Sequence, residues 1–192
     1  MVRSTELSGL VLCGGSSARM GRDKALLERD GRRWIERSVT LLDLVCEEVL
    51  LACGSEPRYE DLGRDLVLDP ESDMGPLAGL SAGLAAAKSE RVLALAVDMQ
   101  TLDKPVLEHL IEQAETHDAD VALYEVDGRP QPLCAAYHQR ALPAIRAALA
   151  QGQRRMVAFW DGTRADGTPL VVLRLSGNER RLSNWNRPED VA

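Results

Sequence analysis

The sequence predicts a three-layer α/β/α fold built on a mostly parallel sheet, and three observations predict it. Short apolar runs alternate with longer segments of helical periodicity along most of the 192 residues. Those runs are continuously apolar instead of alternating, as strands covered on both faces are. Aromatic residues make up only 4% of the chain, so the core has to be assembled from Leu, Val, Ala and Ile.

Taken in order, 8–13 (SGLVLC) reads as a buried strand that runs into a Gly-rich turn. Residues 34–46 carry Ile35, Val39, Leu42 and Val45 or Cys46 at helical spacing. Residues 48–53 (EVLLAC) and 65–68 (DLVL) read as further strands. Residues 77–88 are Ala- and Leu-rich and helical, although Gly79 and Gly83 each weaken a helix by roughly 1 kcal/mol relative to Ala. Four apart on one face, the two glycines suit close packing against a strand. Residues 91–97 (RVLALAV) form the cleanest buried strand, which ends at Asp98. Pro105 suits a helix first turn, with Leu107, Leu110, Ile111 and Ala114 following at helical positions of 106–116. Residues 120–124 and 133–137 read as strands around a turn at Asp127–Gly128, 141–150 as a helix and 170–175 as a late strand. No repeat or linker divides the chain, so one domain over 1–192 is expected.

A content of 45% hydrophobic and 28% charged residues is that of an ordinary globular protein. The net charge of −7 argues against broad binding to nucleic acid or an anionic membrane, which needs clustered Lys and Arg. No apolar stretch approaches the ~18 residues that span a bilayer, and the polar start gives no signal peptide, so a cytoplasmic location is expected. Cys13, Cys46, Cys53 and Cys134 show no close pairing and read as reduced, small apolar residues. His109, His117 and His138 share no spacing and are assigned no catalytic role.

In a mostly parallel sheet, ligands bind at the carboxyl ends of the strands. The first such end carries Cys13, Gly14 and Gly15, then Arg19, Arg22 and Lys24, three cations within six residues of an acidic chain. Paired glycines let backbone N–H groups approach a ligand, and with local cations they make a phosphate site. The spacing rules out a P-loop, since Gly15 and Gly21 are too far apart and Arg22 follows. It also rules out the dinucleotide fingerprint, which Gly14–Gly15 do not supply.

The stretch Leu12 to Lys24 (LCGGSSARMGRDK) closely resembles the signature L-x-G-G-x-S-x-R-M-G-x-D-K of the molybdenum cofactor guanylyltransferases. These belong to the wider nucleotidyltransferases of Rossmann-like fold. Asp69 with 75–79 (GPLAG) resembles that family's D…G-P-L-A-G, and 97–99 (VDM) its strand-end aspartate motif. Residues 131–133 (QPL) and 184–190 (NWNRPED) resemble its Q-P-L and N-x-N-x-P-E-D segments. Five segments in family order span nearly the whole chain.

The resemblance implies transfer of GMP from GTP to the terminal phosphate of molybdopterin, with release of pyrophosphate. It implies Arg19, Lys24 and Asp98 as catalytic residues, with Asp98 the ligand of a Mg²⁺ cofactor. Leu12, Cys13, Gly14, Gly15, Lys24, Asp69 and Asp98 would bind the nucleotide. Gly75, Pro76, Leu77, Gly79, Gln131, Pro132, Arg154, Arg155, Asn184 and Asn186 would border the acceptor, although Arg154 and Arg155 read equally as a solvated helix start. Cys13 stands where the family commonly has Ala, and so is an oxidisable thiol beside the nucleotide. Arg187 replaces a capping Thr before the last helix. GTP and molybdopterin are the expected small-molecule partners, with transient contact to other cofactor-assembly proteins. Guanine preference rests on Leu12 to Gly15, because cytidine-using relatives tend to carry Ala-Ala-Gly there. The alternatives are a cytidylyl- or sugar-phosphate-specific transferase and a non-catalytic nucleotide-binding protein; intact Arg19, Lys24 and Asp98 speak against the latter.

Overall fold

The computed structural model describes residues 6–14, 23–69, 75–177 and 182. The strands are β1 Leu7–Leu12, β2 Glu28–Arg29, β3 Arg32–Arg33, β4 Glu48–Gly54, β5 Asp65–Leu68, β6 Arg91–Ala96, β7 Val121–Val126, β8 Arg129–His138 and β9 Val172–Ser176. The α-helices are α1 Trp34–Leu42, α2 Pro76–Ala86, α3 Lys104–Thr116 and α4 Leu142–Ala150.

Seven strands form one sheet in the order β5-β4-β1-β6-β8-β7-β9, while β2 and β3 make a separate small hairpin. All sheet pairings are parallel except those of β8, which runs against both β6 and β7. Alternate residues of the central strands feed two cores. Val11, Leu51, Leu93 and Leu95 pack with Ile35 and Leu42 of α1 and Leu107 and Leu110 of α3. Leu10, Leu50, Val92 and Ala94 pack on the other face with Leu77, Leu80 and Leu84 of α2 and Ile145 of α4. Each fully buried Leu contributes about 1.5–3 kcal/mol.

The α2 glycines face the sheet as their spacing suggests. A Cβ on Gly79 would stand 3.3 Å from Ala52 Cβ, and one on Gly83 would run into the Leu10 side chain. Helix α2 stops at Ala86 instead of residue 88 because Glu48 draws the next backbone away, its Oε1 accepting the Lys88 N–H at 2.7 Å. Helix α1 likewise ends at Leu42, four residues before its periodicity does, because the Glu47 N–H must reach Leu7 O at 2.9 Å to start β4.

The last three strands also shift from the expected bounds. β7 and β8 run to the turn itself, where Asp127 and Gly128 both adopt left-handed conformations (φ 49° and 72°), as a two-residue hairpin requires. Asp30 and Gly31 (φ 55° and 71°) close β2 and β3 in the same way, a hairpin too short to give a sequence signal. β9 begins at Val172, two residues later than expected, because Val171 is taken up by Asp120, whose Oδ2 accepts its N–H at 2.8 Å.

Candidate active site

The sheet reverses direction of growth at β1. From β1 the chain adds β4 and then β5 on one side, then crosses to place β6 on the other. Ligands bind at such a switch point, outside the carboxyl ends of the strands. The chain leaves β1 at Cys13 and Gly14, and Asp23 opens a 3₁₀ turn, Lys24–Leu26. Across the switch, β6 ends in the turn that carries Asp98.

Lys24 and Asp98 meet there. Lys24 Nζ donates to Asp98 Oδ2 at 3.2 Å, with 24% and 16% of the two side chains exposed. The other carboxylate oxygen, Asp98 Oδ1, is buried and has no hydrogen-bond partner among the described residues. A desolvated lone pair beside a cation is unfavourable by itself and suits a hard ligand that arrives later. Among the described residues no group of three or more His, Cys, Asp and Glu could hold a metal.

Asp69, just past β5, repeats the pattern. Its N–H donates to Gly54 O at 2.8 Å, while its carboxylate is buried, with Oδ1 unpartnered among the described residues. Burial pushes this carboxyl above the usual aspartate range. Asp69 Oδ1 lies beside Gly79, where an added Cβ would stand 3.8 Å away.

The end of β1 is tied into the sheet. Leu12 O accepts from Val97 N–H at 3.4 Å, and Cys13 N–H donates to Ala52 O at 3.1 Å. A Cβ on Gly14 would collide with the backbone of Cys53 and Gly54, so glycine is demanded first by the approach of β4. The expectation of an oxidisable Cys13 is corrected, while its reading as a small apolar residue fits. The thiol is buried, donates to Ala52 O at 3.3 Å, and is held protonated by its hydrogen bond with Cys53 and by burial. All four cysteines are free thiols.

Asp23 of the signature and two side chains that the sequence did not single out, Arg58 and Tyr59, frame Lys24. Asp23 Oδ2 accepts from Tyr59 Oη at 2.6 Å and from Arg58 Nη1 at 3.3 Å. Arg58 Nη2 donates to Cys53 O at 2.7 Å and Cys13 O at 3.4 Å. An Arg-Tyr pair after a proline carries no pattern that would have announced this.

The expected acceptor residues that are described lie at the start of α2, in the loop after α4 and in the first half of β8. Gly75, at φ 75° and ψ 178°, caps α2 in a conformation that essentially only glycine adopts, and Pro76 opens the helix. The backbone oxygen of Arg154 would stand 3.4 Å from a Cβ at Gly75, so Arg154 lies over the start of α2. Arg154 and Arg155 are exposed in the loop that follows α4, not at a helix start, because α4 has already ended at Ala150. The Leu77 side chain is wholly in the core and Gly79 faces β1 and β4, so both serve packing; what they can offer a ligand is backbone. β8 and β6 pair as far as Cys134 and Leu95, so Gln131 and Pro132 extend past the end of β6 onto the Asp98 side. Pro132 O accepts from Tyr137 Oη at 2.6 Å. Gly15, Arg19, Asn184 and Asn186 lie outside the described residues. The three histidines are dispersed: His109 meets Tyr124 Oη at 2.9 Å, His117 follows α3, and His138 caps the turn after β8.

A family profile described as "MobA-like NTP transferase domain" matches residues 9–166. The chain is 34% identical over 183 residues to the molybdenum cofactor guanylyltransferase of Pseudomonas entomophila, covering 94% of this chain and 93% of that one. It is 33% identical over 190 residues to a probable molybdenum cofactor guanylyltransferase of Chloroflexus aggregans, covering 96% and 91%. The crystal structure of molybdopterin-guanine dinucleotide biosynthesis protein A from Archaeoglobus fulgidus has the same fold, with a TM-score of 0.79, 24% identity and coverage of 96% and 94%.

Proposed function

This chain belongs to the MobA-like NTP transferase family, and on that premise we propose that it transfers GMP from GTP to the terminal phosphate of molybdopterin, with or without bound molybdenum. Pyrophosphate is released and the guanine dinucleotide form of the cofactor results. The observation that carries the reading is the Lys24–Asp98 pair at the switch point, with Asp98 Oδ1 buried and unpartnered beside it. The names of the relatives support the choice of base and acceptor.

In this reaction an oxygen of the acceptor phosphate attacks the α-phosphorus of GTP. The bond from that phosphorus to the bridging oxygen breaks, and pyrophosphate leaves with the electron pair. A phosphate monoester has its second pKa near ~6, so at neutral pH the nucleophile is already ionised and no strong base is required. The demands are alignment and charge.

Lys24 meets the charge demand at the β- and γ-phosphates, together with Arg19. Asp98 Oδ1 is the oxygen that fits a Mg²⁺ ion, which when bound would supply positive charge to the triphosphate. Asp69 and the segment by which the chain leaves β1, Leu12, Cys13, Gly14 and Gly15, take the nucleoside. Gly75, Pro76, Gln131, Pro132, Arg154, Arg155, Asn184 and Asn186 border the acceptor, the Arg side chains meeting its phosphate. No described helix is long and apolar enough to cross a membrane. We place the activity in the cytoplasm, with transient hand-off to other cofactor-assembly proteins.

The test is calorimetry of the four ribonucleoside triphosphates with Mg²⁺, on the natural sequence and on Asp98→Ala, followed by pyrophosphate release with molybdopterin. Selective GTP binding that loses its Mg²⁺ dependence in the variant supports the proposal. Selective CTP binding overturns the substrate, and binding without pyrophosphate release overturns the reaction.

A further inference from the structure

The turn that delivers Lys24 is held by side chains that the transfer reaction does not use. Asp23 Oδ1 accepts the Ala25 N–H at 3.0 Å and so caps the 3₁₀ turn in which Lys24 stands first. Asp23 Oδ2 is fixed in turn by Tyr59 Oη at 2.6 Å and Arg58 Nη1 at 3.3 Å. The second arm of the Arg58 guanidinium reaches back to Cys53 O at 2.7 Å and Cys13 O at 3.4 Å. One planar fork thus joins the point where the chain leaves β1, the end of β4, and the residue before Lys24.

The cluster is tightly arranged. The guanidinium carbon lies 5.4 Å from the centre of the Tyr59 ring. Tyr59 itself sits in the left-handed region at φ 64°, uncommon for a bulky residue, and Cys53 Sγ donates to Arg58 O at 3.3 Å to hold the segment there. Burial and the bond to Asp23 keep the Tyr59 phenol protonated and therefore a donor. The ion pair of Arg58 and Asp23 is 35% and 25% exposed, too wet to account for the arrangement by stability alone. What the cluster does determine is where the Lys24 backbone stands opposite Asp98.

We propose that Arg58 and Tyr59 are positioning residues for Lys24, acting through Asp23 to set the distance between Lys24 Nζ, Asp98 and the triphosphate. This rests on the guanylyltransferase reading above. Both donor arms of Arg58 end on protein oxygens, and the role assigned to it needs no direct contact with GTP. Lys in its place would lack the fork and could not span the same three acceptors.

The experiment is a double-mutant cycle, with Arg58→Met and Tyr59→Phe each made alone and in the Lys24→Ala background. The readouts are kcat for pyrophosphate release, GTP affinity by calorimetry, and thermal midpoint. With Lys24 present, each variant should lower kcat by about tenfold or more, short of the ~10²-fold that a 1 Å misplacement can produce. With Lys24 absent, the same substitution should change kcat by less than about twofold, since effects routed through one residue do not add. Arg58→Lys should behave like Arg58→Met. Equal losses in both backgrounds, or no loss with Lys24 present, overturn the proposal. Should Arg58→Met fail to fold, Tyr59→Phe keeps the ring and decides the matter in the same cycle. A natural sequence that releases no pyrophosphate from GTP would instead overturn the guanylyltransferase reading itself.

Discussion

Lys24 and Asp98 are 74 residues apart in the chain and meet at 3.2 Å across the switch point between β1 and β6. A partly exposed pair of this kind contributes about 0–1 kcal/mol to stability. The buried, unpartnered Oδ1 of Asp98 subtracts from even that. Stability therefore does not explain the pair, and charge handling does. Asp98→Asn and Lys24→Met are each expected to lower turnover by about 10²–10³-fold, the scale of removing one transition-state electrostatic contact. Thermal midpoints should move by less than about 4 °C. Steady-state pyrophosphate release and a melting curve on the same samples check this, and a large melting loss with modest kinetic loss would count against it.

Asp69 offers a test through pH. Burial raises its folded-state pKa above the unfolded value, so the folded protein binds this proton more tightly than the unfolded chain does. Stability from this site is fully present when the carboxyl is protonated and falls as pH rises from the ordinary aspartate range through the raised value. Asp69→Asn removes that penalty. It should raise the urea midpoint at pH 7, with the gain shrinking as pH is lowered toward about 4. The same variant should weaken GTP binding. A midpoint gain that is independent of pH would contradict the assignment.

How far the sequence could be read follows from the range of each signal. The strands 91–97 and 48–53 were legible because their burial writes an unbroken apolar run, and Asp98 was legible because it ends one of them. The ends of α3 and α4 at Thr116 and Ala150 were legible too, whereas those of α1 and α2 were not, because partners elsewhere set them: Glu48 stops α2 and Leu7 O stops α1. The same holds in the site. Lys24 and Asp98 carry a motif, whereas Arg58 and Tyr59 act through bonds to main-chain oxygens and to Asp23, and main-chain acceptors leave no trace in residue identity. Leu77 and Gly79 show the converse. Their motif resembles acceptor contacts, yet their side-chain space is spent on the sheet.

Gly83 tests that packing. In an exposed helix, Gly→Ala would stabilise by about 1 kcal/mol. Here a Cβ would strike Leu10, which is fully buried and cannot move aside freely. Gly83→Ala should therefore destabilise by about 1–3 kcal/mol. Combined with Leu10→Ala, which makes room, the loss should be smaller than the sum of the two single losses. Urea unfolding of the four proteins reads the coupling directly, and simple additivity would refute the contact.

Asp120 tests whether charge in this protein is always a matter of the site. It is fully buried just before β7 and receives Arg164 Nε at 3.1 and 2.9 Å on its two oxygens. Val171 N–H donates to Oδ2 at 2.8 Å, and Arg140 Nε stands 3.0 Å from Oδ1 as an ion pair whose N–H is not aimed at the oxygen. The position is at the amino end of β7, parallel to β6, and so at the opposite edge of the sheet from Asp98. Removing this carboxylate leaves the Arg164 guanidinium and a backbone N–H without their acceptor and takes a charge partner from Arg140, which keeps its bonds to Asp118, a loss of the kind that amounts to about 3–5 kcal/mol. Asp120→Ala should therefore lower the free energy of unfolding by that amount in urea titrations. For the fraction that stays folded, KM for GTP and its Mg²⁺ dependence should match those of the natural sequence. A variant that loses turnover without losing stability would place Asp120 in the reaction, against its position at the far edge of the sheet.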